Sequence, residues 1–175
     1  AFQPVNMAVM TVSDSRPPED DRSGDLLASR IEEDGHVLAA RLIMTDDVDR
    51  IVPQLQDWIA DAGIAVVITT GGTGLTGRDS TPEAFASVVE KDIPGFGELF
   101  RYLSFTKIGT STVQSRALAG VAGGTYMFAL PGSPSGCRDG WDDILRYQLD
   151  IRHRPCNFVE IMPRLTESAT TRRSG

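Results

Sequence analysis

Chemistry-capable residues crowd into one stretch of the chain: Val66-Val67-Ile68-Thr69-Thr70-Gly71-Gly72-Thr73-Gly74-Leu75-Thr76-Gly77-Arg78-Asp79-Ser80-Thr81-Pro82-Glu83. Glycines and small residues let backbone N–H groups converge on an anion without obstruction by Cβ. Asp79, at the end of the turn, can hold a cation beside that anion. Phosphate and Mg²⁺ are the chemistry this combination suits. The alternative use of Asp79 is to cap the turn or the helix that follows. A second glycine-bearing turn, Pro131-Gly132-Ser133-Pro134-Ser135-Gly136, has the same character. A third candidate group is Asp46-Asp47, which can either cap a helix and complement its dipole or face a ligand.

Two nucleotide motifs nearly fit the first turn. Gly72, Gly74 and Gly77 satisfy G-x-G-x-x-G. The dinucleotide version, however, needs a following strand and an acid about 20 residues on, and the downstream stretch reads as helix. Gly72-x-x-x-x-Gly77 runs into Arg78-Asp79, without the Lys-Ser/Thr of a Walker loop. Neither motif is adopted.

The elements that must position these residues are legible as apolar runs. Met7–Val12 reads as a first strand, ending at Ser13-Asp14. A helix from Ser23, as cap, to about Asp34 stops at Gly35. His36–Met44 reads as a second strand closing at Asp46-Asp47. A helix over 48–62 follows, with Ile51, Leu55, Trp58 and Ile59 at helical spacing and Pro53 past its first turn. Val66–Thr70 is consecutive apolar and β-branched, as in a buried parallel strand. Ser80 or Thr81 is expected to cap a helix over 82–91, with Ser80 and Glu83 spaced as a capping box. Further helices are expected over 96–105 and 138–148, with a polar short helix over 110–117. Gly123-Gly124 reads as a turn into a last core strand, Tyr126–Leu130.

Strands alternating with helices predict a three-layer, Rossmann-like α/β sandwich, a mostly parallel sheet with helices on both faces. In such a sheet ligands bind at the carboxyl ends of the strands. Asp14, Asp46 and both glycine turns fall there. One domain over 1–158 is expected, with 159–175 a partly disordered tail that is small and polar from Thr166.

Composition narrows the classes. The chain has 41% hydrophobic and 23% charged residues, ordinary for a globular domain. A net charge of −7 argues against nucleic acid as partner. Arg146, Arg152, Arg154 and Arg164 form no basic stripe, being interleaved with Asp142, Asp143, Asp150 and Glu160. Cys137 and Cys156 lack C-x-x-C or disulfide-framework spacing and read as free thiols. No apolar run is long enough to span a membrane and no signal-peptide pattern opens the chain, so a cytoplasmic protein is expected.

Linked blocks carry a family likeness. Thr69-Thr70-Gly71-Gly72-Thr73-Gly74 with Arg78-Asp79-x-Thr81-Pro82-Glu83-Ala84, then Pro94-Gly95-Phe96-Gly97-Glu98, then Leu130-Pro131-Gly132-Ser133-Pro134, resemble the molybdopterin-binding fold of molybdenum cofactor biosynthesis. Ile108-Gly109-Thr110-Ser111-Thr112, Gln114-Ser115-Arg116-Ala117 and Arg154-Pro155-Cys156-Asn157-Phe158 are similar to its protein B branch in particular. The likeness runs in order from Val5 to Phe158.

The resemblance implies a Mg²⁺-dependent adenylyltransferase, with ATP and molybdopterin as substrates. AMP passes to the pterin's terminal phosphate and pyrophosphate leaves. It further implies a catalytic, metal-side role for Asp46 and Asp79, Asp47 being the alternative to Asp46. Thr70, Gly71, Gly72, Thr73 and Gly74 are implied as the phosphate cradle, and Pro131, Gly132 and Ser133 as the border of the adenylate. Ser13, Asp14 and Ser115 are implied near the pocket. A homo-oligomer is expected, trimer or hexamer, with Phe100, Tyr102 and Phe105 at a subunit contact and the molybdenum-insertion enzyme as a further partner. One departure stands out: Ser133 replaces the Asn or Gln that adenylylating relatives often carry. A non-catalytic molybdopterin-binding or carrier protein is the alternative.

Overall fold

The computed structural model describes residues 1–15 and 17–168. Its centre is a six-stranded sheet: β1 (Asn6–Val12), β2 (Val37–Met44), β3 (Val66–Thr70), β4 (Lys91–Asp92), β5 (Leu118–Ala122) and β6 (Thr125–Leu130), in the order β2-β1-β3-β6-β5-β4. β2, β1, β3 and β6 are mutually parallel, while β5 and β4 continue the sheet antiparallel. The sheet is therefore mostly parallel, as expected.

The period-two alternation of the central strands builds two cores. Met7 and Val9 of β1, Ile68 of β3 and Phe128 of β6 face one side. They pack there with Leu27 and Ile31 of α1 (Arg22–Glu33), Phe96 and Phe100 of α4 (Pro94–Ile108), and Trp141. Ala8, Met10, Val67 and Met127 face the other side, against Ile51 and Leu55 of α2 (Val48–Ala60) and Phe85 of α3 (Thr81–Val88). The inner parallel strands β1, β3 and β6 are buried on both faces because helices cover both, whereas β2, at the edge, is only partly buried. The result is the three-layer sandwich that the strand–helix alternation predicts.

Several details differ from expectation. Asp21, not Ser23, caps α1, its carboxylate accepting from the Gly24 N–H at 3.0 Å. Ser23 lies inside the first turn and is spent elsewhere. Ser80 precedes α3 but makes no side-chain cap bond, and Glu83 pairs with Arg116, so the capping box does not form. α3 stops at Val88 because Lys91–Asp92 are recruited as an edge strand against β5. β5 was not expected. It joins β6 through Gly123 and Gly124, both at positive φ, as a tight hairpin turn requires. The helix expected over 138–148 starts earlier, as α5 (Pro134–Gly140). It passes through a π turn, Trp141–Leu145, into α6 (Arg146–Gln148). Phe100 is core, whereas Tyr102 and Phe105 are exposed.

Beyond 158 the chain remains ordered in α7 (Phe158–Ile161), with Val159 buried in the first core. Of the tail expected to be disordered from Thr166, residues 169–175 lie outside the described residues. Cys137 is buried and Cys156 exposed, neither in a disulfide. Among the described residues no helix is long and apolar enough to cross a membrane.

Candidate functional site

The carboxyl ends of β1, β2, β3 and β6 enclose a cleft of about 260 Å³. β1 contributes Thr11 to Asp14, and Asp46 stands just past β2. β3 contributes Thr70, Gly71 and Gly72, followed by Arg78 and Asp79, and Gly132 closes it after β6. Asp46 and Asp79, assigned together from sequence, thus line one cavity.

The two glycine turns meet at backbone level. A β-carbon on Gly132 would sit 3.3 Å from Gly71 Cα, and one on Gly71 would lie 2.3 Å from the Val12 carbonyl oxygen. Gly71 stands at φ +101° and Gly72 at +71°, a region other residues rarely adopt. Hydroxyls fasten the turns. Thr70 Oγ1 donates to the Pro131 carbonyl at 2.7 Å, Thr81 Oγ1 to the Gly71 carbonyl at 2.8 Å, and Ser23 Oγ to the Gly132 carbonyl at 2.8 Å. Among the described residues the N–H groups of Gly72, Thr73 and Gly74 meet no acceptor. That is the condition for an anion cradle.

The acids are individually held. Asp46 is 8% exposed, and its carboxylate accepts from the Ser80 N–H at 3.0 Å and from the Ser80 hydroxyl. Its own N–H donates to Asp14 Oδ1 at 3.1 Å. Asp14 is also clamped bidentately by Arg78, at 2.8 and 2.9 Å. This guanidinium holds the Asp14 carboxyl below the usual carboxylate range. Asp79 accepts from the Thr76 N–H and hydroxyl, both at 2.9 Å. Asp47 turns away as the cap of α2, accepting from the Asp49 N–H at 2.9 Å. Of the adjacent pair, Asp46 is therefore the cleft residue.

Behind the first core, Asp21 is fully buried. It is held by Thr11 Oγ1 at 2.8 Å and Arg41 at 3.1 Å, which fixes the start of α1 and so Ser23 against the second turn.

Not every expected residue reaches the cleft. Ser13, Asp14, Thr70, Gly71, Gly72 and Gly132 line it. Thr73 and Gly74 belong to the turn but not to the lining, and their carbonyls are taken by Arg116. Pro131 lies outside the lining, its carbonyl accepting from Thr70 Oγ1 and Cys137 Sγ. Ser133 caps α5, accepting from the Gly136 N–H at 3.1 Å, because the residue before Pro134 must be the cap of that helix. Ser115 accepts from the Ala117 N–H at 3.3 Å and lies outside the lining. Reasoning from sequence missed Arg78 as the cationic side chain of the cleft. Its place beside Asp79 in the motif was the available signal.

A larger cavity of about 760 Å³ lies elsewhere, among Lys91, Gly123, Tyr126, Phe158 and Arg164, and no expected site residue touches it. Among the described residues no group of three or more His, Cys, Asp or Glu side chains can hold a metal by itself. The 260 Å³ cleft offers three carboxylates, one guanidinium and unpaired N–H groups. Such a set can take a phosphorylated ligand together with a hard cation, which offsets the carboxylate charge.

Comparison with known proteins places the chain in a family. The model of a probable molybdopterin binding domain matches residues 8–151. Molybdenum cofactor biosynthesis protein B of Escherichia coli K12 is 48% identical over 157 residues, covering 90% of this chain and 92% of the relative. The Bacillus subtilis protein of the same name is 44% identical over 130 residues, covering 74% and 76%. A crystal structure of molybdenum cofactor biosynthesis protein B superposes with a TM-score of 0.82 at 37% identity, over 85% of this chain and 93% of that one. The tungsten cofactor synthesizing protein MoaB of Pyrococcus furiosus gives 0.74 at 34%, over 83% and 92%. The chain belongs to the molybdopterin-binding family, alongside the molybdenum cofactor biosynthesis B proteins.

Proposed function

We propose that this chain adenylylates molybdopterin within molybdenum cofactor biosynthesis, using ATP and Mg²⁺. The relatives' names support the pathway. The observation that carries the reaction is the joining of two glycine turns and two acids, Asp46 and Asp79, in one cleft. An oxygen of the pterin's terminal phosphate attacks the α-phosphorus of ATP. The new P–O bond forms as the α–β bridge breaks, and pyrophosphate carries away the electron pair. No side-chain nucleophile is needed, so the chain's work is positioning and charge stabilisation.

The donor set fits the cation. Mg²⁺ binds through one or two carboxylates plus substrate phosphates rather than an all-protein cage, and Asp46 and Asp79 are the carboxylates that would hold it. When bound, it neutralises charge on the transferring phosphoryl group. The N–H group of Gly72, in the lining, receives a phosphate oxygen, with those of Thr73 and Gly74 following it in the same turn, Arg78 adds a positive charge, and glycine at 71 and 132 lets the ligand approach the backbone.

The test is incubation with molybdopterin, ATP and Mg²⁺, following pyrophosphate and the adenylylated pterin. The wild-type chain forms both. Asp79→Asn loses about 10²-fold or more of the rate, with unchanged circular dichroism and molybdopterin affinity. Wild-type turnover in that variant removes the metal role given to Asp79.

A second reading, binding or carriage without transfer, is favoured by one observation. The carboxylates of Asp46 and Asp79 already accept hydrogen bonds from Ser80 and Thr76, and the Ser133 hydroxyl is engaged as a cap. Molybdopterin binding with no pyrophosphate decides for it. The proposal also includes self-association, as trimer or hexamer, supported by the exposed apolar face of α4, and a cytoplasmic site of action.

A further inference from the structure

Arg116 lies outside the cleft, yet it donates three hydrogen bonds to backbone carbonyls of the first glycine turn. Its backbone N–H donates to the Thr73 carbonyl at 2.9 Å. Its Nε donates to the Gly74 carbonyl at 2.8 Å and its Nη2 to the Asp79 carbonyl at 3.2 Å. The remaining arm pairs with Glu83, whose carboxyl this guanidinium holds below its ordinary value.

We infer that Arg116 is a positioning residue, turning the carbonyls of the 73–79 turn away from the cleft so that its N–H groups and Asp46 take their working orientation. A trans peptide is planar, with C=O and N–H pointing in opposite directions. Drawing the Thr73 and Gly74 carbonyls towards Arg116 therefore turns the N–H groups of Gly74 and Leu75 away from it. At Asp79 the consequence is visible. The Asp79 carbonyl is bound by Arg116, and the N–H of the same peptide, that of Ser80, donates to Asp46 at 3.0 Å. One guanidinium thus holds the peptide that holds the cleft acid. A carbonyl oxygen pointing inward instead would repel a phosphate. The guanidinium's fork can serve two carbonyls and a carboxylate at once, which an ammonium on a flexible stem cannot do in fixed geometry.

The inference rests on the reading of this cleft as a phosphate site, but its test does not need a ligand. Amide hydrogen exchange at Ser80 reports the bond to Asp46 directly. In Arg116→Lys the Ser80 amide exchanges about tenfold faster or more, as for loss of a hydrogen bond to a charged group. In Glu83→Gln, which keeps both carbonyl bonds, its exchange stays within about twofold of wild type. Thermal melting establishes that each variant is folded, and Arg116→Gln replaces Arg116→Lys should the latter not fold. Titration with Mg-ATP then shows about tenfold weaker binding in the Arg116 variant but not in Glu83→Gln. Unchanged Ser80 exchange in a folded Arg116 variant overturns the inference. So does accelerated exchange in Glu83→Gln equal to that in the Arg116 variant, since the ion pair alone would then be responsible. If wild type binds no Mg-ATP, the adenylylation proposal falls while the exchange result on Arg116 still decides this one.

Discussion

Gly71 and Gly132 touch each other across the cleft but tolerate change very differently. A β-carbon at Gly71 meets a backbone oxygen at 2.3 Å, and φ there is +101°. Neither the Val12 carbonyl nor the turn can yield without moving a central strand. Gly71→Ala is expected to cost about 3 kcal/mol, combining backbone strain with overpacking. At Gly132 the nearest atom is Gly71 Cα at 3.3 Å, with no positive φ to relieve. Gly132→Ala is expected to cost under about 1 kcal/mol while forcing the two turns apart and weakening Mg-ATP binding. Urea denaturation of both variants, with nucleotide titration of the second, checks the contrast. Equal destabilisation would mean that the turns are not packed as described.

The strands that build the cleft were legible because β1, β2, β3 and β6 are apolar runs ending in small or acidic residues. β5 was not, since Leu118-Ala-Gly-Val-Ala has little β-propensity and a glycine at its centre. Gly120 is there because a β-carbon would strike Val89 at 2.5 Å, a contact no local pattern announces. Asp46 and Asp79 could be read as candidates for one cleft, Asp46 from its place after a strand and Asp79 from its place at the end of the glycine turn. The use of Ser133 as a helix cap, and the reach of Arg116 back to Gly74 and Asp79, depend on packing between distant segments.

The entry to β2 carries its own pH dependence. His36 is 6% exposed, and its Nδ1 accepts the Val5 N–H at 3.1 Å. Burial lowers its pKa below 6.5, against the pull of Asp34 and Asp150. The neutral ring is the native form, and the unfolded chain takes up the proton first. This contribution is therefore complete above the unfolded value and is lost as pH falls through the folded one. The urea midpoint of wild type should drop between about pH 7.5 and about pH 5 by more than that of His36→Gln, whose side-chain carbonyl can still accept from Val5. Parallel pH dependence in the two proteins would remove His36 as the cause.

At the scale of the whole molecule, one surface is poorly explained by a lone chain. Leu99, Tyr102, Phe105 and Ile108 recur every third residue along α4 and are 44%, 69%, 54% and 55% exposed, with Val113 beyond them at 75%. Phe96 and Phe100 satisfy the core from the same helix, so core packing does not account for the others. Scattered apolar residues on a surface need no explanation, but several on one helix and its extension mark a contact. The chain's net charge of −7 opposes self-association at low salt and makes it sensitive to screening. If this face joins copies, sedimentation equilibrium gives a mass that is a multiple of 18.9 kDa and increases with ionic strength. Tyr102→Glu with Phe105→Glu places carboxylates at the centre of the face and returns the protein to the monomer mass with an unchanged circular dichroism spectrum, because neither side chain supports the core. A wild-type protein that sediments as a monomer at every salt concentration would leave these residues without a partner copy and end the assembly proposal.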